Sequence, residues 1–188
     1  MNDHAGISTT PDEVTLLLRA IREGNPDALN DAFNLLYGEL KRMAQRALGS
    51  GNGTLNPTGL VHECFLRMSA GDAKPGDRSH FFALASRVMR QVICDHARRR
   101  LAQKRDGGIA VTLNDADTAL LDEAQRLVEL DELLIRLAER DRRQADVVVC
   151  RAFAGLTADE TAEALGISVR TVQSDWAAAK DWLGEHRG

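Results

Sequence analysis

Apolar residues recur along the chain at spacings of three and four, and prolines, glycines and capping residues interrupt them at intervals that predict helices. Thr10-Pro11-Asp12-Glu13 combines a capping hydroxyl, a proline suited to the first helical turn and a glutamate at the capping-box position, so a helix starts there. Leu17, Leu18 and Ile21 form its apolar side, and Gly24 can end it. Asn25-Pro26 repeats the start signal, and Leu29, Phe33, Leu36, Leu40 and Met43 predict one longer helix to about Leu48, with a glycine-rich loop after it. Asn56-Pro57 opens a third helix whose apolar residues are Leu60, Val61, Phe65, Leu66 and Met68. After a break at 71–77, a fourth helix is expected over 79–100, burying Phe82, Ala85, Val88, Met89, Val92 and Ile93.

Gly107-Gly108 and the acidic stretch to about Thr118 read as a linker, because glycine disfavours helix and like charges resist packing. Leu127, Leu130, Leu133, Leu134 and Leu137 then mark an amphipathic helix, and Asp141-Arg142-Arg143-Gln144 starts another through Val147, Val148 and Phe153 that Gly155 stops. Thr157-Ala158-Asp159-Glu160 begins a short helix through Leu165, Gly166-Ile167 turns the chain, and Ser168 caps a further helix through Trp176 and Leu183. This is a helix-turn-helix pattern: glycine permits the sharp reversal, Ala162 allows close approach, and Leu165, Ile167, Val172 and Ala179 supply a small core. The expected fold is all-α with two helical domains joined by an acidic linker. Residues 1–10 form a disordered N-terminus, 11–105 a four-helix domain, 106–122 the linker and 123–188 the helix-turn-helix domain.

Composition agrees with packed helices, since aromatic residues make up only 4% of the chain. A formal net charge of -4 argues against binding DNA by overall basicity, but the charge is unevenly distributed. Arg78 to Arg105 carries eight basic residues against the single acid Asp95, whereas Asp106 to Glu132 carries eight acids against the single base Arg126. The three cysteines Cys64, Cys94 and Cys150 lack paired spacing, so no disulfide framework or metal site is expected, and His62 and His96 do not complete one. These features fit a reducing cytoplasmic compartment. Nothing approaches the roughly 20 apolar residues of a membrane span. Glu63 beside His62 has no nucleophile, phosphate loop or cofactor fingerprint nearby, so neither catalysis nor a cofactor is expected.

A recognition helix presents polar groups near its N-terminus, where its dipole favours phosphate. Arg170, Thr171, Gln173, Ser174 and Ala177 occupy that face, after the Ser168 cap and with Lys180 further along the helix. A plain helical hairpin with a solvated surface is the competing reading, but caps, turn glycine and core spacing all agree with DNA binding. Trp176 and Trp182 read as packing residues.

The segment from Leu130-Asp131-Glu132 through Arg151-Ala152-Phe153-Ala154-Gly155-Leu156 to Ser168-Val169-Arg170-Thr171-Val172 resembles region four of extracytoplasmic-function (ECF) sigma factors. Pro57 to Arg67 resembles the polymerase-binding helix of region two, and His80-Phe81-Phe82-Ala83-Leu84-Ala85 with Asp95 to Arg100 resembles its promoter-melting part. The pairing of Leu60-Val61-His62-Glu63 with the 80–85 segment is similar to one ECF subgroup.

The resemblance implies a sigma factor that recruits core RNA polymerase to promoter DNA. Leu60, Val61, His62, Glu63 and Arg67 would dock on the clamp helices of the largest subunit, and the second domain would meet the flap of the second-largest. Arg87, Arg90, Arg98, Arg99 and Arg100 would hold the backbone of the minus-ten element, with Gln91, Asp95 and His96 as base-reading candidates. The 168–180 helix would enter the major groove of the minus-thirty-five element, and the linker would thread into the polymerase interior. Gly59 stands where many members carry an acid, Leu84 where many carry tryptophan, and Gln91 where asparagine is common. Control by an anti-sigma factor or by a regulatory kinase is compatible with this reading. A stand-alone helix-turn-helix regulator and a polymerase adaptor that does not touch DNA are the competing functions. The sigma reading rests on two helical modules gripping one promoter at two places, and it collapses if the halves merge into one core that hides both the 168–180 surface and the 87–100 arginines with no rearrangement able to free them.

Overall fold

The structure is a computed structural model that describes residues 11–49, 55–71, 74–106 and 115–186, with the side chains of 11, 12, 105, 106 and 115–117 excepted. Every regular element among the described residues is helical. The expected N-terminal stretch 1–10, its Thr10 cap, most of the 49–53 loop and the Gly107-Gly108 pair lie outside the described residues.

Helices α1 (Pro11–Arg22), α2 (Ala28–Leu35), α3 (Tyr37–Leu48), α4 (Pro57–Ala70) and α5 (Arg78–Asp106) surround an N-terminal core. Leu18, Leu36, Leu40, Leu60, Phe81 and Met89 are fully buried in it. Phe33 bridges two helices, meeting Phe65 edge-on at 5.2 Å and Phe81 at 5.5 Å, an arrangement that suits the ring quadrupoles. The Asn56 side chain accepts the Gly59 N–H at 2.8 Å, so α4 begins where the Asn-Pro pair predicts.

Three local expectations are corrected. The single helix predicted from the Asn25-Pro26 start to about Leu48 is two helices, because Leu36 leaves helical geometry (φ -95°, ψ 8°) while its side chain stays fully buried, which re-aims α3. Phe81, outside the predicted buried set, is at the centre of the core, whereas Leu66, inside the predicted apolar set, is 50% exposed. The expected linker is helical where it is described: α5 continues to Asp106, and α6 (Asp115–Arg140) starts well before Thr118.

The C-terminal half comprises α6, α7 (Arg142–Val148), a wide π turn (Val149–Phe153), α8 (Ala158–Leu165) and α9 (Val169–Glu185). Leu134, Leu137, Val148, Phe153 and Ala179 form one core, and Val147, Ala162 and Val172 form the small core between the last helices. The π turn replaces the continuous helix expected from Asp141 to Gly155: the Ala154 N–H donates to the Val149 carbonyl at 3.1 Å, and the Leu156 N–H donates to that of Cys150 at 3.0 Å. This widening pushes Ala154 out of its own half and into the N-terminal core.

The two halves are therefore packed together rather than standing apart as the sequence suggests. α5 is the shared element. Phe81, Phe82 and Met89 serve the first half, while Ala83, Arg87 and Arg90 face the second. Across this seam Ala83 meets Cys150 and Ala164, and the Arg46 guanidinium donates to the Ala154 carbonyl at 2.8 Å. Gly155 (φ +65°) suits glycine by its backbone sign, and a Cβ there, 2.6 Å from Arg46 Nε, would push that arginine side chain aside.

Candidate nucleic-acid interface

The helix-turn-helix is built from local signals. The Thr157 hydroxyl accepts the Glu160 N–H at 3.2 Å, and Glu160 reaches back to accept the Thr157 N–H at 2.7 Å. These contacts hold the Glu160 carboxyl below its ordinary range, with the Thr157 backbone hydrogen bond as the main cause. Gly166 (φ 65°, ψ 35°) supplies the left-handed turn, and the Ser168 hydroxyl accepts the Thr171 N–H at 3.1 Å to start α9. Val172 and Ala179 face inward, which turns Ser168, Arg170, Gln173, Ser174, Ala177 and Lys180 to solvent with Thr171 half-buried among them. The Lys180 ammonium lies 5.7 Å and the Arg151 guanidinium 5.6 Å from the centre of the Trp176 ring, which also packs on the C-terminal cores.

Apart from Asp95, the α5 candidates divide into three groups. Gln91 and Arg99 are exposed. His96 and Arg100 are half-buried and line a cavity of about 100 Å³ between α3, α5 and α6, facing Glu123. Arg87, Arg90 and Arg98 are tied to carboxylates of the C-terminal half: Arg87 to Asp146 at 2.7 Å, and both Arg90 and Arg98 to Asp131. Asp131 is only 6% exposed and accepts two guanidinium groups, so a desolvated carboxylate is paired on both of its oxygens. The same carboxylate is part of why Arg98 holds its proton more tightly than usual, chiefly through their hydrogen bond.

On α4 the predicted docking set also splits. Leu60 and Val61 are buried and hold the helix to the core, so their side chains are not available at the surface. His62 is exposed, and Glu63 and Arg67 are half-buried. Arg67 bonds Asp95 at 2.8 Å, so the structure joins a residue from the polymerase set to one from the promoter set. Leu66, absent from the predicted set, is the large apolar side chain that this face presents to solvent.

Asp131, Asp146, Arg143 and Asp175 are the polar residues that sequence reading missed. Arg143 grips the buried Asp175 on the inner side of α9, through Nε–Oδ2 at 2.6 Å and a second bond at 3.2 Å. The available signal was the abundance of acids next to a basic block, but separation in sequence hides the pairing.

Burial pushes the Cys64, Cys94 and Cys150 thiols up to about 12, so they are not thiolates at neutral pH. Among the described residues no helix is long and apolar enough to cross a membrane.

Among solved structures, the chain is similar to CnrH, solved in complex with the cytosolic domain of CnrY, at 20% identity, covering 93% of this chain and 96% of that one with a TM-score of 0.42. None of the curated proteins matches it. The family model described as ECF sigma factor matches residues 11–187, and on that span the chain belongs to the ECF sigma factors, the helical subunits that serve transcription initiation.

Proposed function

We propose that this sigma factor, bound to core RNA polymerase, holds promoter DNA at two places, with α9 in the major groove of the minus-thirty-five element and α5 along the minus-ten element. The observation that carries this reading is the exposed polar face of α9, capped by Ser168 and backed by Val172 and Ala179. Arg170 is suited to a guanine edge or phosphate, Gln173 and Ser174 to base edges or backbone, and Lys180 to phosphate. On α5 the arginines from Arg87 to Arg100 would neutralise phosphates, with Gln91, Asp95 and His96 as base-reading groups.

For polymerase docking the exposed side of α4, His62, Glu63, Leu66 and Arg67, supports contact with the clamp helices, with Leu60 and Val61 acting from beneath by fixing the helix. An apolar side chain ringed by polar groups is the usual make-up of an interface anchor. The second domain would reach the flap of the second-largest subunit. The motifs at 60–63 and 80–85 support membership of the subgroup that pairs them.

The test is transcription by purified chain plus core polymerase on genomic fragments of its host. Discrete start sites that require the chain are expected. A folded chain and an active core enzyme that give no discrete start on any fragment would overturn the reading, and tight operator binding without polymerase would point to a stand-alone regulator.

A further inference from the structure

Away from the promoter candidates, a cleft of about 300 Å³ opens between α3, the start of α5 and the turn that leads into α8. Its floor is apolar, made by the buried Met43 and Phe82. Its walls carry three arginines, Arg42 and Arg46 one helical turn apart on α3, and Arg78 on α5. The Arg78 guanidinium lies over the Phe82 ring at 5.1 Å and pairs with Glu39. Arg46 gives one nitrogen to the Ala154 carbonyl and runs along the bare backbone of Gly155. Arg42 is exposed and makes no hydrogen bond or ion pair among the described residues. Two carboxylates, Glu39 and Glu160, share the cleft, so its three guanidinium groups leave one positive charge uncompensated. Glu160 is already committed to the Thr157 N–H, and after that bond the charges of Arg78 and Arg46 also help to hold its carboxyl down. The cleft is thus electropositive above an apolar floor, and Arg42 has its whole guanidinium fork to offer.

We propose that this cleft is a binding site for a small organic diphosphate, its phosphates held by Arg42, Arg46 and Arg78 and its organic part resting on the apolar floor. A guanidinium fork matches two phosphate oxygens at once, which suits arginine rather than lysine to this task. Arg42 and Arg46 are four residues apart on one helix, with Cβ atoms about 6 Å apart, so their forks serve two linked phosphates better than one. The Thr157 hydroxyl accepts the Glu160 N–H and keeps its own proton, which it can donate to a phosphate oxygen. Volume sets the size limit: the cleft is at the small end of ligand pockets, enough for a nucleoside diphosphate with its base at the rim and too little for a dinucleotide. None of these residues belongs to the proposed promoter or polymerase contacts, so the site is independent of that reading.

Calorimetric titration of the full-length protein with ADP, AMP and adenosine tests the proposal. ADP should saturate a single site and bind about tenfold or more tightly than AMP, with adenosine silent, because each phosphate adds charge-assisted bonds. Arg42→Ala should weaken ADP binding by about tenfold or more and leave the thermal midpoint of the free protein unchanged, since Arg42 holds nothing in the fold. In the unmutated protein, ADP should shift the amide resonances of Gly155 and Thr157 and spare those of Arg99 and Ser174, which lie on the proposed DNA surfaces. An absence of saturable ADP binding at millimolar concentration and low salt would overturn the proposal. So would an unaltered affinity in Arg42→Ala. Shifts confined to Arg99 or Ser174 would also overturn it, by showing that phosphate goes to the DNA-binding faces instead.

Discussion

Arg143 and Asp175 form a two-point ion pair that fastens α7 to the buried side of α9, directly behind the face that carries Arg170 and Gln173. The pair is lopsided. Asp175 is nearly buried, whereas about half of the Arg143 side chain is in solvent. Removing Arg143 strands a desolvated carboxylate, but removing Asp175 returns a guanidinium to water. Arg143→Ala should therefore lower the urea midpoint of the C-terminal half more than Asp175→Ala does. Equal losses, or a larger loss for Asp175→Ala, would show that the carboxylate finds other partners.

Arg170 has the opposite character. It is exposed on the second residue of α9, so its truncation should leave the fold intact and act on DNA alone. If it makes a bidentate base contact, Arg170→Ala should weaken promoter use by about 1–3 kcal/mol and relax preference at one base pair. In vitro transcription from a library randomised at the minus-thirty-five element reads both. A variant with unaltered sequence preference would take Arg170 out of the base-reading group.

These two residues mark where the sequence was readable and where it was not. Caps lie within three or four positions of the N–H groups they satisfy, so Asn56, Asp141, Thr157 and Ser168 announce their helices in the sequence and all four accept the expected hydrogen bond. The face of α9 follows from a single helical period. Pairs made by tertiary packing leave no such trace: Asp131 lies 41 residues from Arg90 and 33 from Arg98, and as a sequence feature it was one acid in an acidic block. Periodicity likewise gives an apolar stripe without saying which edge of it is covered. Phe81 was missed and Leu66 over-read for that reason, since a partner that helps bury Phe81 is Phe33, three helices earlier. The break at Leu36 and the π turn at Val149 are adjustments to neighbouring helices, and no local residue specifies them.

The Glu160–Thr157 box gives the C-terminal half an acid-sensitive helix start. Glu160 titrates below its ordinary 4.5 in the folded protein, mainly through the Thr157 backbone hydrogen bond. A depressed carboxyl stabilises the fold fully above its unfolded value, and that contribution fades as pH falls through the folded value. Stability of the native protein should therefore decline below about pH 4.5 more steeply than that of Glu160→Gln, whose glutamine cannot titrate. Thr157→Ala, which removes the other half of the box, should cost about 0.5–2 kcal/mol at neutral pH. Chemical denaturation across the acid range separates these outcomes, and parallel pH profiles for native and Glu160→Gln would remove the carboxylate from the cause.

Leu60 and Leu66 test which side of α4 meets polymerase. They lie six positions apart on one helix, but Leu60 is fully buried and Leu66 is half in solvent. Leu60→Ala opens a cavity in the N-terminal core and should cost about 2–5 kcal/mol of stability. Its effect on polymerase binding should follow the fraction of protein that remains folded. Leu66→Ala removes little that is buried and should change stability by no more than about 0.5 kcal/mol. If Leu66 anchors the clamp contact, that variant should remain folded and still lose affinity for core polymerase in a pull-down or by fluorescence anisotropy. Retained affinity in Leu66→Ala would move the docking surface off this face, because Leu60 and Val61 have no exposed side chain with which to replace it.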